Sequence, residues 1–190
     1  MSRKGLVSLI VLCLCISALY ESTTWPQLEK GGGAFEFLTL LSLAVTITYI
    51  ILSQNASSNW NVKYIYPLAS NLGFQVTMGY WSAKLLGVKS YERSLWLAIR
   101  LHAIPYLYLL ILDSHPQGSA TISVTITVAF MLAWCIYVDI IIYWNWGNNT
   151  TSVPYGTLNE KTFIERVVWI AGFTILSCSN YIILGIRNCL

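Results

Sequence analysis

The sequence predicts an all-α integral membrane protein, a bundle of six transmembrane helices, and three observations carry that reading. Of the 190 residues, 56% are apolar and only 10% charged, where a soluble domain carries about 25% charged residues; so few charges cannot cover a water-facing surface. Apolar runs of about 20 residues, the length that crosses a bilayer core, recur along the chain. Lipid offers no partner for backbone amides, so spanning segments are helices or closed barrels, and no even ladder of short alternating strands is present. Eight tryptophans and twelve tyrosines suit the two membrane–water interfaces.

The spans follow in order. The first, Gly5–Tyr20, is an apolar run behind the basic "MSRK". Only Cys15-Ile16-Ser17 resembles a small-x-small cleavage signal, so the segment reads as a retained signal anchor; if it is removed, five spans remain. The second, Ala34–Ser53, leaves the glycines at 31–33, which lack the lysine and strand-to-helix context of a phosphate loop. Tyr64–Val88, Ser94–Leu112, Ala120–Tyr143 and Val167–Ile186 complete the set. The longest polar connection, 144–166, has 23 residues, so the whole chain, 1–190, is one transmembrane domain.

Charge does not orient the bundle. Arg3 and Lys4 favour a cytoplasmic N-terminus, while Lys84, Lys89 and Arg93 cluster on the opposite side. The glycosylation patterns at Asn55 and Asn149 fall on opposite sides as well. The endoplasmic reticulum or the plasma membrane is the expected location. A net charge of +3, scattered along the chain, gives no reason to expect a nucleic-acid partner. Cysteines 13, 15, 135, 178 and 189 form no Cys-x-x-Cys pair, and the histidines are His102 and His115 alone, so neither a metal site nor a disulfide framework is indicated. The sequence does not specify an oligomeric state.

Polar residues inside spans carry the functional signal, because charge in lipid is costly and normally faces the bundle interior. These are Lys84, Arg100, His102 and Asp139, with the neutral Thr39, Asn71, Gln75 and Asn180. Spans two and four run in the same direction and span five opposes them. At 1.5 Å per residue Thr39 lies roughly 8 Å into span two, His102 roughly 12 Å into span four, and Asp139 roughly 6 Å from the end of span five. One layer near one membrane face therefore holds all three, together with Lys84 and Arg100. A hydroxyl becomes a nucleophile when a base takes its proton, histidine is the side chain suited to that near neutral pH, and a carboxylate can hold the imidazole tautomer. In that scheme Thr39 attacks, His102 is the base, Asp139 orients it, and Arg100 and Lys84 receive an anionic head group. Asn71 and Gln75 are candidate oxyanion donors. Each part also has a plain reading: threonine returning its hydroxyl to the helix, long cations reaching the interface, and Asn71, Gln75 and Asn180 as polar ties between helices.

The stretch "GGGAFEFLTLLSLAVTITYIIL" resembles the Gly-Gly-x-x-Lys-Phe-Leu-Thr-Phe approach to a span in the androgen-induced and androgen-dependent TFPI-regulating protein family. "RLHAIPYLYLLILDSHPQ" is similar to that family's Met-His, Leu-Pro-Phe-Ile-Leu-Ile-Glu and Ser-His stretch, and the likeness runs in order from Gly31 to Trp146. Its most specific elements are Phe37-Leu38-Thr39 and Leu101-His102, with Ser114-His115 downstream. The resemblance implies a membrane threonine hydrolase that cleaves fatty acid esters of hydroxy fatty acids, with its nucleophile at Thr39 and its histidine at His102. The expectation is thus a cofactor-free hydrolase of anionic lipid esters, its partners being membrane lipids. The alternative is a non-enzymatic membrane scaffold or regulatory partner in which the polar layer holds helices together.

Overall fold

The computed structural model describes residues 3–24, 37–54, 59–87, 94–112, 119–144 and 161–187. The glycines at 31–33, both glycosylation patterns and His115 lie outside them. The described residues form helices, apart from short turns and helix-flanking positions, with no strand among them. We number them α1 (Arg3–Ser22), α2 (Leu38–Gln54), α3 (Asn59–Leu85), α4 (Leu95–His102), α5 (Ile104–Leu107), α6 (Ala120–Trp144) and α7 (Phe163–Arg187); a π-helical turn, Tyr108–Leu112, continues α5. The result is an all-α membrane bundle. Three of its helices are both long and apolar enough to cross a bilayer, over Lys4–Ser22, Ala120–Tyr143 and Phe163–Leu184.

Capping explains the boundaries that apolar runs alone misplace. α7 begins at Phe163, four residues before the expected span, because Thr162-x-x-Glu165 is a capping box: the Glu165 N–H donates to Thr162 Oγ1 (3.4 Å) and Glu165 Oε2 accepts from the Thr162 N–H (2.8 Å). Ser94 caps α4 by accepting from the Leu97 N–H at 3.1 Å. The fourth span is not one continuous helix. Pro105 has no N–H to give the Leu101 carbonyl, Ala103 leaves helical geometry at φ −123°, and α4 stops at His102. A π-helical turn of this kind absorbs the resulting register change.

Neighbouring segments run antiparallel, as contacts at their ends record. The Ser8 and Tyr108 hydroxyls bond at 2.8 Å, Tyr66 Oη donates to the Leu109 carbonyl at 3.1 Å, and the Tyr49 and Tyr66 rings lie 5.3 Å apart. These tie the start of α1, the end of α2, the start of α3 and the π turn at one end of the bundle. Thr39, His102 and the ends of α1, α3 and α6 lie at the other.

α3 is the axis. It touches α2, α4, α5, α6, α7 and the π turn, and from Tyr66 to Val76 every residue except Leu68 is buried. Surrounded by protein rather than lipid, it tolerates Ser70, Asn71 and Gln75 in its middle. The outer helices invert this pattern. Leu132, Ile136 and Ile140 of α6 and Val168, Ile175 and Ile182 of α7 are exposed on the outer surface of the bundle. Two apolar clusters flank the axis. One joins Val11, Cys15 and Ala18 of α1 to Leu40 and Leu43 of α2 and to Leu97, Leu101 and Leu109. The other joins Leu38, Leu72 and Val76 to Met131, Trp134 and Val138 of α6 and Ile170 of α7. α1 is therefore packed as a member of the bundle, with Cys15 and Ala18 fully buried.

Candidate active site

Thr39 is the second residue of α2 and is half-buried. At helical spacing it shares a stripe with Leu43, Thr46 and Ile50, all buried, while Ala44, Thr48 and Ile51 face out. Its side chain thus belongs to the inward face of α2. Thr46 and Thr48 return their hydroxyls to the carbonyls of Ser42 (3.0 Å) and Ala44 (2.9 Å). Thr39 Oγ1 makes no hydrogen bond to any described residue.

His102 closes α4 and is buried, at 4% exposure. Its imidazole lies flat on the Tyr80 ring, with centroids 3.8 Å apart and planes 4° from parallel. Tyr80 Oη accepts from Lys84 Nζ at 3.5 Å, and that ammonium sits over the Tyr80 and Trp81 rings at 5.6 and 5.2 Å. Stacking fixes the imidazole plane without using its nitrogens, which lie on the ring edge. The α2 and α4 helices touch. Phe37 and Leu40, flanking Thr39, belong to the same apolar cluster as Leu97 and Leu101, the latter preceding His102. Thr39 and His102 are not hydrogen-bonded to each other.

The rest of the expected layer shares one end of the bundle but is divided around its circumference. Arg100 does not face His102: two residues along a helix is about 160° around it. Its guanidinium turns to α1, donating to Ser17 Oγ at 2.9 Å and pairing with the Glu21 carboxylate, while packing over Trp96 at 5.5 Å. The role of receiving a substrate carboxylate is therefore already filled by Glu21. Asp139 does not orient His102. Its Oδ1 accepts from Arg166 Nε at 2.6 Å, because α6 packs against α3 and α7, and Arg166 also donates to the Lys161 carbonyl. Lys84 is exposed and pairs with no carboxylate among the described residues.

Nor is Asn71 an oxyanion donor. Both its amide hydrogens are committed, to Ser123 Oγ at 3.0 Å and Thr127 Oγ1 at 2.9 Å. Its Oδ1 accepts from Asn180 Nδ2 (3.1 Å), its backbone carbonyl from Ser177 Oγ (2.9 Å), and Asn180 Oδ1 from Tyr106 Oη (2.7 Å). Asn71, Ser123, Thr127, Ser177 and Asn180 are all fully buried. Asn71 and Asn180 thus tie α3, α5, α6 and α7 together. Gln75 lies five residues from Tyr80, about 140° around α3 from the residue on which His102 stacks.

Four residues that structure makes important escaped the sequence reading. Glu21 and Arg166 stand one position outside the apolar spans Gly5–Tyr20 and Val167–Ile186, where hydropathy does not mark them as intramembrane charges. Tyr80 and Tyr106 read as interface aromatics. Only the pairing rule for buried charge pointed to partners for Arg100 and Asp139. No family model, no curated protein and no solved structure matches this chain, so its site is interpreted from its own residues.

Proposed function

We propose that the chain is a multi-pass membrane hydrolase of lipid esters, acting in the endoplasmic reticulum or plasma membrane, with Thr39 as nucleophile and His102 as base. The reading is supported by two helices that touch, α2 and α4, each carrying an inward-facing group: on α2 a hydroxyl not hydrogen-bonded to any described residue, on α4 an imidazole stacked flat on Tyr80. The resemblance around Phe37-Leu38-Thr39 and Leu101-His102 supports the same pair. Thr39 Oγ attacks the ester carbonyl carbon while His102 takes its proton. The tetrahedral intermediate collapses, the alcohol leaves with that proton, and acyl-threonine remains. Water, deprotonated by His102, then attacks the acyl carbon; the acid departs and Thr39 is restored. Neither a metal nor an organic cofactor is required. The substrate class is fatty acid esters of hydroxy fatty acids or similar anionic lipid esters. With Arg100 paired to Glu21, Lys84 is the cation suited to the carboxylate head group.

The experiment is turnover of such an ester by purified wild type, Thr39→Ala and His102→Ala in lipid nanodiscs. Each substitution lowers turnover about 10³-fold or more if the hydroxyl and imidazole act as a unit. Unchanged turnover in either variant ends the assignment. A second reading, a non-enzymatic scaffold or regulatory partner, is favoured by the closed Asn71 network, whose groups act on one another rather than on a guest. Absence of ester turnover, with stoichiometric co-purification of another membrane protein, supports that reading.

A further inference from the structure

Asn71, Gln75 and Gly79 stand one turn apart along α3 and form one stripe. The residues at both ends of the stripe meet α7: Asn71 bonds Asn180 and Ser177, and a Cβ placed on Gly79 would lie 3.9 Å from the Phe173 ring. Gln75, between them, is 2% exposed, and its Oε1 accepts no hydrogen bond from the described residues. Three hydroxyl protons on the facing helices α6 and α7 are committed elsewhere. Ser177 donates to the Asn71 carbonyl, Thr174 to the Ile170 carbonyl at 2.8 Å, and Thr127 to the Ser123 carbonyl at 2.8 Å. Each of those oxygens retains accepting capacity. Gln75 Oε1 is therefore a buried acceptor with no protein donor among the described residues, in a bundle interior where an unmatched amide oxygen has no bulk water to turn to.

We propose that this junction of α3, α6 and α7 is a binding site for one internal water molecule, which donates to Gln75 Oε1 and to a neighbouring hydroxyl oxygen. Water fits on three counts. It brings a donor to Gln75 Oε1, to which no described residue donates. It is neutral, as are Asn71, Ser123, Thr127, Ser177 and Asn180 around it, whereas the nearest described ion pair, Asp139–Arg166, is internally balanced. And it is small enough for a site whose polar residues are shielded from the surrounding lipid, which a lipid head group is not. The bound water extends the Asn71 network one turn toward the His102 end and makes the α3–α7 contact a hydrated joint rather than a dry one. The proposal uses neither Thr39 nor His102 and stands independently of the hydrolase reading.

Two measurements test it. In wild-type protein in nanodiscs, water-edited solid-state NMR should transfer magnetisation rapidly to the Gln75 side-chain amide, as it does to interfacial residues and not to the buried Leu72. Failure of that transfer overturns the proposal, as does lipid density in place of water at Oε1 in a high-resolution map. The second is the melting temperature of Gln75→Met. If Oε1 is simply an orphaned acceptor, replacing it with an apolar side chain of similar length removes a desolvation penalty and raises the melting temperature. If it holds water, Met strands that water and lowers the melting temperature by several degrees, and the sign of the shift decides between them.

Discussion

The middle of α3 and the Thr39 end of the bundle both hold polar residues in an apolar protein, yet they are built on opposite plans. Around Asn71, groups from four helical segments close on one another, and nearly every donor finds an acceptor. At the Thr39 end the polar residues separate into local pairs: Arg100 with Glu21 toward α1, Asp139 with Arg166 toward α7, His102 on Tyr80 toward α3, and Thr39 with no described partner. A closed network adds stability to helix packing and has little left to offer a substrate. Local pairs each tie one helix to a neighbour and leave the Thr39 hydroxyl without a described partner. The contrast makes each plan testable by the same variable, stability against turnover.

The largest expected effect is at the centre. Asn71→Leu removes both amide donors and the acceptor of Asn180, leaving Asn180 Nδ2, Ser123 and Thr127 to find partners inside the bundle. Interhelical hydrogen bonds in membranes average well under 1 kcal/mol, but stranded polar groups add to that, so a loss of about 3 kcal/mol is expected from reversible unfolding in mixed micelles. A neutral result would erase the difference between the two regions.

Asp139→Asn comes next. It leaves the Arg166 side chain, 9% exposed, beside a neutral amide. Breaking a fully buried pair costs about 3–5 kcal/mol, and with Asp139 at 17% exposure the expected loss is about 2 kcal/mol in the same unfolding assay. If Asp139 instead served His102, turnover would fall while stability held; the Arg166 contact predicts the reverse. Glu21→Gln is smaller still, about 1 kcal/mol, because the Glu21 side chain is 41% exposed and water moderates the loss. That variant also asks how firmly α1 is held, since Ser17 and Glu21 are its polar ties to α4.

How much of this was legible in the residues follows from the physics of each signal. Apolar length reports the helices, because lipid penalises any other backbone state, and Asn71 and Asn180 were readable as interhelical ties for the same reason. The end of the bundle a residue occupies was readable too, since a fixed rise per residue turns sequence position into distance along a helix. Azimuth was not. Which side of α4 carries Arg100 and which His102 is plain from their spacing, but which helix waits on each side depends on how the segments pack. The shared layer therefore looked like one site where the structure has three separate pairs. Span boundaries failed where capping chemistry outran hydrophobicity, at Thr162-x-x-Glu165, and where Pro105 broke a continuous apolar run after His102.

The smallest stability effect carries the sharpest distinction. Thr39→Ser retains the hydroxyl, Thr39→Val retains the shape, and Thr39→Ala removes both the hydroxyl and a methyl group from a half-buried position. Because Oγ1 bonds no described residue, Ser and Val should each change unfolding free energy by under about 0.5 kcal/mol, as surface-like substitutions do. A nucleophile separates the two: Ser sustains measurable turnover and Val abolishes it. A packing residue reverses the order, since Val preserves the β-branched contacts with the α2 face and Ser opens a gap. If Val costs more than about 1 kcal/mol of stability, Thr39 has a structural hydrogen bond after all, and the division between a closed centre and an open end no longer holds.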